Sequence, residues 1–362
     1  MRDLDYLTLL SKQFKNSSEI KVEIANLNAI LTLPKATEYF FSDLHGEHES
    51  FIHLTRSAAG VIRKKLRILF SNEMTEEEIL DLANIVYFPK EKLEKYDFSD
   101  KKTYDFQNFL IKKMLILVKT LSEKYTRSKV RKAMNKKFSY LTEELLYKDL
   151  DTENLKKAKY YQEIINSIID IGLTREYIIE LCVLAQHLAL DTLHIVGDIF
   201  DRGARHDRII DELMNLKNVD IQWGNHDVEW LGAFFGNEVL IVNCLRIAIK
   251  YNCFDMLEDG YGINLRKLSE FASEVYKDDD CKLFIPSILD ENEYDVVKPD
   301  LTAKIHKTLE IIQLKLEGKL LKKHPEYEML DRIMLEKIDY DKGVLIVKKT
   351  IFGQVFPPIL LK

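Results

Sequence analysis

The chain has 362 residues, of which 46% are hydrophobic and 31% charged, with a formal net charge of −6. Such a length allows a sizeable core and about two domains at roughly 150 residues each. Lys and Glu are intermixed, which argues against a duplex nucleic-acid binder but leaves room for a small anionic substrate held by a few local cations.

The N-terminus, Met1-Arg2-Asp3-Leu4, lacks the basic start and apolar run of a signal peptide. No stretch approaches the roughly 18 uninterrupted apolar residues of a membrane span. The four cysteines, Cys182, Cys244, Cys253 and Cys281, form no C-x-x-C pair. They read as reduced thiols rather than a zinc site, and a soluble, cytoplasmic protein is expected.

A short N-terminal helical segment is expected over residues 1–35. The first strand signal is Thr37-Glu38-Tyr39-Phe40-Phe41-Ser42, ending at Asp43. Residues 54–189 then read almost wholly as helix. Thr75-Glu76-Glu77-Glu78 fits a capping box, with Ile79, Leu82, Ala83 and Val86 behind it on one face. Within this stretch the Lys-rich segment from Lys101 to Lys137 reads as a solvated face. Gly172 is expected to close one helix and Thr174 to cap the next, whose stripe is Ile178, Leu181, Cys182, Ala185 and Leu188. A single crossover helix needs far fewer residues, so 54–189 is expected to be a helical insertion.

Two more strand signals follow. Thr192-Leu193-His194-Ile195-Val196 stops at Gly197-Asp198, and Val219-Asp220-Ile221-Gln222-Trp223 stops at Gly224-Asn225. Strands alternating with helices predict an α/β fold around a largely parallel sheet, built from residues 36–53 and 190–260. Ligands in such sheets collect beyond the carboxyl ends of the strands, where all three polar clusters fall. Residues 261–362 are expected to form a helical extension. Its apolar ending, with Pro357-Pro358, predicts a core whose C-terminal part is missing.

The chemistry concentrates at those strand ends. Asp43-Leu44-His45 alone is a weak signal. Gly197-Asp198-Ile199-Phe200-Asp201-Arg202-Gly203 fixes five residue types in seven, and Gly224-Asn225-His226-Asp227 follows in order. Two divalent ions about 3.5–4 Å apart need a shared anionic ligand, which one strand-tip carboxylate can supply. Asp198 is the candidate bridge; Asp43 and His45 would hold one ion and the Asn225 carbonyl the other. Mixed oxygen and imidazole ligands suit Mn, Fe or Zn. His226 is the candidate acid for a departing alkoxide, with Asp201 orienting and charging its ring. Arg202 offers a fork for two phosphate oxygens. An Asp201–Arg202 surface ion pair is the plainer alternative. His48, His53, His187, His194 and His206 read as structural, Arg205 as solvated, and Asp227 as either a support for the ligands or a helix-terminal carboxylate.

These residues resemble the calcineurin-like metallophosphoesterases, especially the phosphoprotein-phosphatase branch with its G-D-x-x-D-R-G spacing. The chain is more similar still to the class 3 fructose-1,6-bisphosphatases of Gram-positive bacteria. That likeness rests on Ser42-Asp43-Leu44-His45-Gly46-Glu47, the segments Ile195 to Gly203 and Gln222 to Asp227, Ile285-Pro286-Ser287, the Lys- and Glu-rich stretch after Lys298, and the large insertion. The resemblance implies hydrolysis of fructose 1,6-bisphosphate to fructose 6-phosphate in gluconeogenesis, with manganese preferred. It also implies two further downstream histidine ligands, one of them in a Gly-His motif. Only His306 and His324 follow Asp227, and neither sits after a glycine or at the end of an apolar strand. The resemblance therefore points to an amino-terminal portion of a longer enzyme, binding metal weakly and with little activity alone. Competing expectations are a phosphoprotein phosphatase and an inactive fragment of a split enzyme that pairs with a separate C-terminal half. A homo-oligomer is left open; neither nucleic acid nor membrane is expected as a partner.

Overall fold

The computed structural model describes residues 2–147, 155–287, 297–342, 344–347, 350–351, 354–355 and 359–361. By internal contacts the chain divides into two units, Met1–Tyr39 with Ile52–Leu193, and Phe40–Phe51 with His194–Lys362. The fold is α/β, mostly helical, with a small parallel sheet. None of the described helices is long and apolar enough to cross a membrane.

In chain order the first unit opens with α1 (Arg2–Gln13) and α2 (Ser17–Ile30). Asn16 caps α2 by accepting the Glu19 N–H at 3.0 Å. β1 (Glu38–Phe41) is shorter than the run read from sequence by one residue at each end. Then come α3 (His48–Arg56), α4 (Val61–Phe70), α5 (Glu76–Tyr87), α6 (Pro89–Leu93) and α7 (Tyr104–Ser122). α8 (Arg127–Ala133), α9 (Ser139–Leu146), α10 (Leu155–Asp170) and α11 (Thr174–Ala189) complete the run up to β2 (Thr192–Val196).

Local chemistry explains several of these ends. Thr75 and Glu78 satisfy each other's backbone N–H groups in a reciprocal box at the start of α5. Gly172, at φ +74°, follows the end of α10. Thr174 does not cap α11. It is the first helical residue, buried, and its hydroxyl donates to the Gln107 side chain on α7, because a capping rotamer would leave that buried amide oxygen without its donor. Ile178, Leu181, Cys182, Ala185 and Leu188 all face one core with Ile62, Leu66, Phe70, Ile79, Met114 and Leu117. Each such side chain contributes about 1.5–3 kcal/mol by leaving water.

The second unit carries the sheet tips. The strand order is β1-β2-β3, with β3 at Val219–Gln222. Past β1 and β2 the two chains advance in the same direction: Asp43 N–H bonds Gly197 O, His45 N–H bonds Asp198 O, and Gly46 N–H bonds Ile199 O. α12 (His206–Asn215) leads into β3, and α13 (Asn225–Phe234), α14 (Glu238–Lys250), α15 (Arg266–Val275) and α16 (Pro299–Lys323) follow. Ala248, Ile249, Met256, Leu257, Ile305 and Leu309 centre a second core.

Helix does not continue to the end of the chain. After Lys323 come three short 3-10 turns, then β4 (Ile338–Asp339), β5 (Val344–Val347) and β8 (Ile359–Leu361) in one antiparallel sheet. β6 (Thr350–Ile351) and β7 (Gln354–Val355) make a second, two-stranded one. Within the 261–362 stretch, expected as a helical extension ending in part of a core, helix holds as far as Lys323 and strands begin at Ile338. Val344-Leu345-Ile346-Val347 is a β-branched run without helical periodicity, the composition that favours a strand. The Pro357-Pro358 pair lies outside the described residues.

Candidate metal centre and catalytic site

Three loops meet beyond the sheet. Ligand atoms of Asp43, His45 and Asp198 all lie within 4.8 Å of one another, as one group able to hold a metal ion among the described residues. His45 Nε2 sits 3.7 Å from Asp43 Oδ1. The other ring nitrogen, Nδ1, is 3.0 Å from the Phe200 carbonyl. A carbonyl only accepts, so Nδ1 carries the proton and Nε2 keeps a lone pair facing Asp43. Asp198 Oδ1 is buried and has no hydrogen-bond partner among the described residues. A buried carboxylate oxygen left in that state is costly unless a cation completes it, so this donor set fits a divalent ion.

The backbone here is strained at non-glycine positions. Asp43 (φ +55°), His45 (φ +41°), Asp198 (φ +60°) and Asp201 (φ +114°) all take positive φ. Such residues cost roughly 1–3 kcal/mol each and persist where surrounding contacts over-determine them.

Two of those surroundings are visible. The first is close glycine packing. A Cβ on Gly203 would lie 1.5 Å from the His45 carbonyl oxygen, and one on Gly224 would lie 2.1 Å from Asp198 Oδ1. The second is Asp227, only 1% exposed. One of its oxygens accepts the Asp198 and Gly224 N–H groups at 2.8 Å each, and the other accepts Ile199 at 2.8 Å and Phe200 at 3.3 Å. Asp227 thus caps α13 and also gathers the 198–200 loop, so the two roles left open from sequence are both filled.

Asn225 is exposed and opens α13 directly after Gly224, the residue whose Cα abuts Asp198. His226 follows it, with Nε2 at 3.4 Å from Asp201 Oδ2 and its ring edge-on to His45 at 5.6 Å between centroids. Asp201 faces His226 and forms no pair with Arg202, whose side chain is exposed and has no ion-pair partner among the described residues. Arg205 is spent on Asp207, with two contacts at 3.0 and 2.7 Å. His206 is fully buried, bonds Tyr261 at 2.8 Å, and has its pKa pushed down to about 3 by burial. His48 is also shifted down, first by burial and then by nearby Arg208. His306 faces the Phe284 carbonyl at 3.1 Å, and His324 pairs with Glu326 at 2.8 Å. Neither belongs to the metal-ligand group.

Two supporting residues carried little sequence signal. The Cys253 thiol lies 3.6 Å from the Gly203 carbonyl, beneath the glycine-rich turn. Glu229 shares a helix face with His226 at i,i+3 spacing, its Oε2 at 3.9 Å from His226 Nδ1. Cys244 lies close enough to Glu229 and Asp201 to feel their charge; burial first, and then those carboxylates, push its thiol up to about 12, so it stays neutral.

The sequence profile of the Firmicute fructose-1,6-bisphosphatase family matches residues 5–354. A class 3 fructose-1,6-bisphosphatase of Clostridioides difficile (strain 630) is 46% identical over 345 residues, covering 95% of this chain and 52% of the relative. One from Clostridium novyi (strain NT) is 46% identical over 344 residues, with 95% and 51% covered. One from Alkaliphilus metalliredigens (strain QYMF) is 44% identical over 350 residues, with 97% and 52% covered. The chain therefore spans about half the length of the curated relatives it matches. No solved structure matches it.

Proposed function

Since the chain belongs to the Firmicute fructose-1,6-bisphosphatase family, we propose that it hydrolyses fructose 1,6-bisphosphate to fructose 6-phosphate and phosphate, a step of gluconeogenesis, on a metallophosphoesterase-type core of residues 36–53 and 190–260. The observation that carries this reading is the convergence of Asp43, His45 and Asp198, with one Asp198 oxygen buried and unpaired. Asp43, His45, Asp198 and Asn225 would hold the divalent metal, with Asp198 as the carboxylate that two ions could share. Manganese is the metal that the family likeness implies; the mixed carboxylate, imidazole and amide donors by themselves suit Mn, Fe or Zn. When bound, the ion pair supplies an acidified water and neutralises charge at phosphorus.

The chain's own groups do the rest. Arg202, exposed and without an ion-pair partner among the described residues, grips two phosphate oxygens through its planar fork. His226 holds the proton that the departing sugar oxygen needs, since a sugar alkoxide is a poor leaving group. Asp201, 3.4 Å from Nε2, orients that ring. The buried Asp227 carboxylate keeps Asp198 and the 199–200 backbone in place.

Phosphate release from fructose 1,6-bisphosphate and from a phosphoserine peptide, each with added Mn2+, tests the reading. Turnover of the sugar ester that exceeds turnover of the peptide is expected, together with loss of rate but not of metal in His226→Ala. Faster turnover of the peptide, or no release from the sugar ester, would overturn the proposal.

A further inference from the structure

We infer that the helical insertion carries a binding site of its own, for a small zwitterion with an aromatic side chain, of the free amino-acid class. The site is a cleft of about 430 Å3 lined by Arg127, Arg131, Glu143, Glu144, Tyr147 and Tyr161. Small-molecule sites run to roughly 300–1,000 Å3, so the cleft is of a size to hold one. Its walls come from three neighbouring helices. Thr126 accepts the Lys129 N–H at 3.2 Å and starts α8, which carries Arg127 and Arg131 on one face at i,i+4 spacing. Glu143 and Tyr147 stand in the same relation along α9 and its C-terminal cap, and Tyr161 comes from α10. Val130, Leu145, Leu146 and Ile165 anchor these helices in the large helical core behind the cleft. The walls are therefore set by packing, and the cleft is preformed.

The charges around the cleft select the ligand. Arg131 Nε donates to Glu143, so those two groups answer each other. Arg127 has no carboxylate partner among the described residues. Its guanidinium lies over the Tyr147 ring, 4.6 Å from the centroid, a contact that supplies no oxygen acceptor to its N–H groups. Glu144, half-buried, has no hydrogen-bond or ion-pair partner among the described residues either. The Tyr147 hydroxyl beside them is buried and likewise without a hydrogen-bond partner there. One cation, one anion and two aromatic rings are thus left unanswered around a single cavity, where buried polar groups are ordinarily satisfied. A simple anion would meet the two glutamates, and a simple amine the two arginines; each is opposed by half of the lining. A ligand that carries both charges meets each with its opposite, its carboxylate on the planar Arg127 fork and its ammonium on Glu144. Tyr147 and Tyr161 offer ring faces to its side chain.

The test is isothermal titration of the full chain with L-phenylalanine, with phenethylamine, which keeps only the positive charge, and with 3-phenylpropionate, which keeps only the negative one. L-Phenylalanine is expected to bind, and each single-charge analogue to bind on the order of tenfold more weakly or worse. Arg127→Ala and Glu144→Gln should each weaken L-phenylalanine by a similar factor. Asp198→Asn, in the metal-ligand group, should leave its affinity unchanged. No binding of L-phenylalanine at about 10 mM would overturn the inference. So would equal affinity for either analogue, or an affinity that neither cleft variant moves. Loss of binding in Asp198→Asn would place the ligand at the metal centre and overturn it as well. Should a cleft variant fail to fold, the comparison of the three ligands on the wild-type chain still decides.

Discussion

The helical run from α4 to α11 and the three-loop site are held together by opposite means. The helices rest on redundancy, with dozens of apolar side chains sharing one core, so that each contributes a small part. The loops rest on single atoms without substitutes: one carboxylate gathering four N–H groups, and two glycines whose missing Cβ atoms let backbone meet a carbonyl and a carboxylate. A change in the first region should therefore cost stability in proportion to the volume removed. In the second it should cost geometry outright.

The sharpest break of that contrast is Gly203→Ala, a single added methyl. With 1.5 Å available to the His45 carbonyl oxygen, the loop must move, and Mn2+ binding should be lost altogether. Isothermal titration of the purified variant checks this, and unchanged affinity would mean the glycine contact is unimportant. Leu117→Ala, by contrast, empties part of the helical core at a fully buried position. It should lower unfolding free energy by about 2–5 kcal/mol in a denaturant titration and leave Mn2+ affinity per folded molecule unchanged.

An acid-sensitive element sits on the site side. His206 has a folded pKa near 3, below its ordinary value of 6.5. The unfolded chain then binds the extra proton first, so the stability it lends is complete above about 6.5 and drains away as pH falls from there toward 3. His206→Gln should flatten that limb of the stability–pH curve by up to a few kcal/mol, read from chemical melts at pH 7 and 4. The smallest effect belongs to the helical run: Thr75→Ala removes half of a reciprocal cap and should cost about 1 kcal/mol.

The same contrast decides what was legible from sequence. Periodicity gave the helical stripes and the three sheet strands to within a residue at each end, because burial of one face leaves a repeating trace. Motif spacing pointed to Asp43, His45 and Asp198, and the structure gathers them. Thr174 misled because a capping residue and a buried first-turn residue look alike in one dimension. The terminal strands were not separately marked because the helical pattern ends at Lys323 and only an apolar core end was expected beyond it. Asp227 was visible as a carboxylate, but its four N–H partners come from a loop 27 to 29 residues away and from its own cap. Glu229 is marked by nothing except i,i+3 spacing to His226, and the strained φ at Asp43, His45, Asp198 and Asp201 shows only as residue types that tolerate positive φ, which also occur widely elsewhere.

The most direct test of the account is electron paramagnetic resonance of the Mn2+-loaded chain beside its Asp198→Asn variant. Sharing of Asp198 predicts the spectrum of a coupled manganese pair in the wild-type chain and its disappearance in the variant. A wild-type chain that binds no manganese, or a variant whose coupled signal is undiminished, would contradict it.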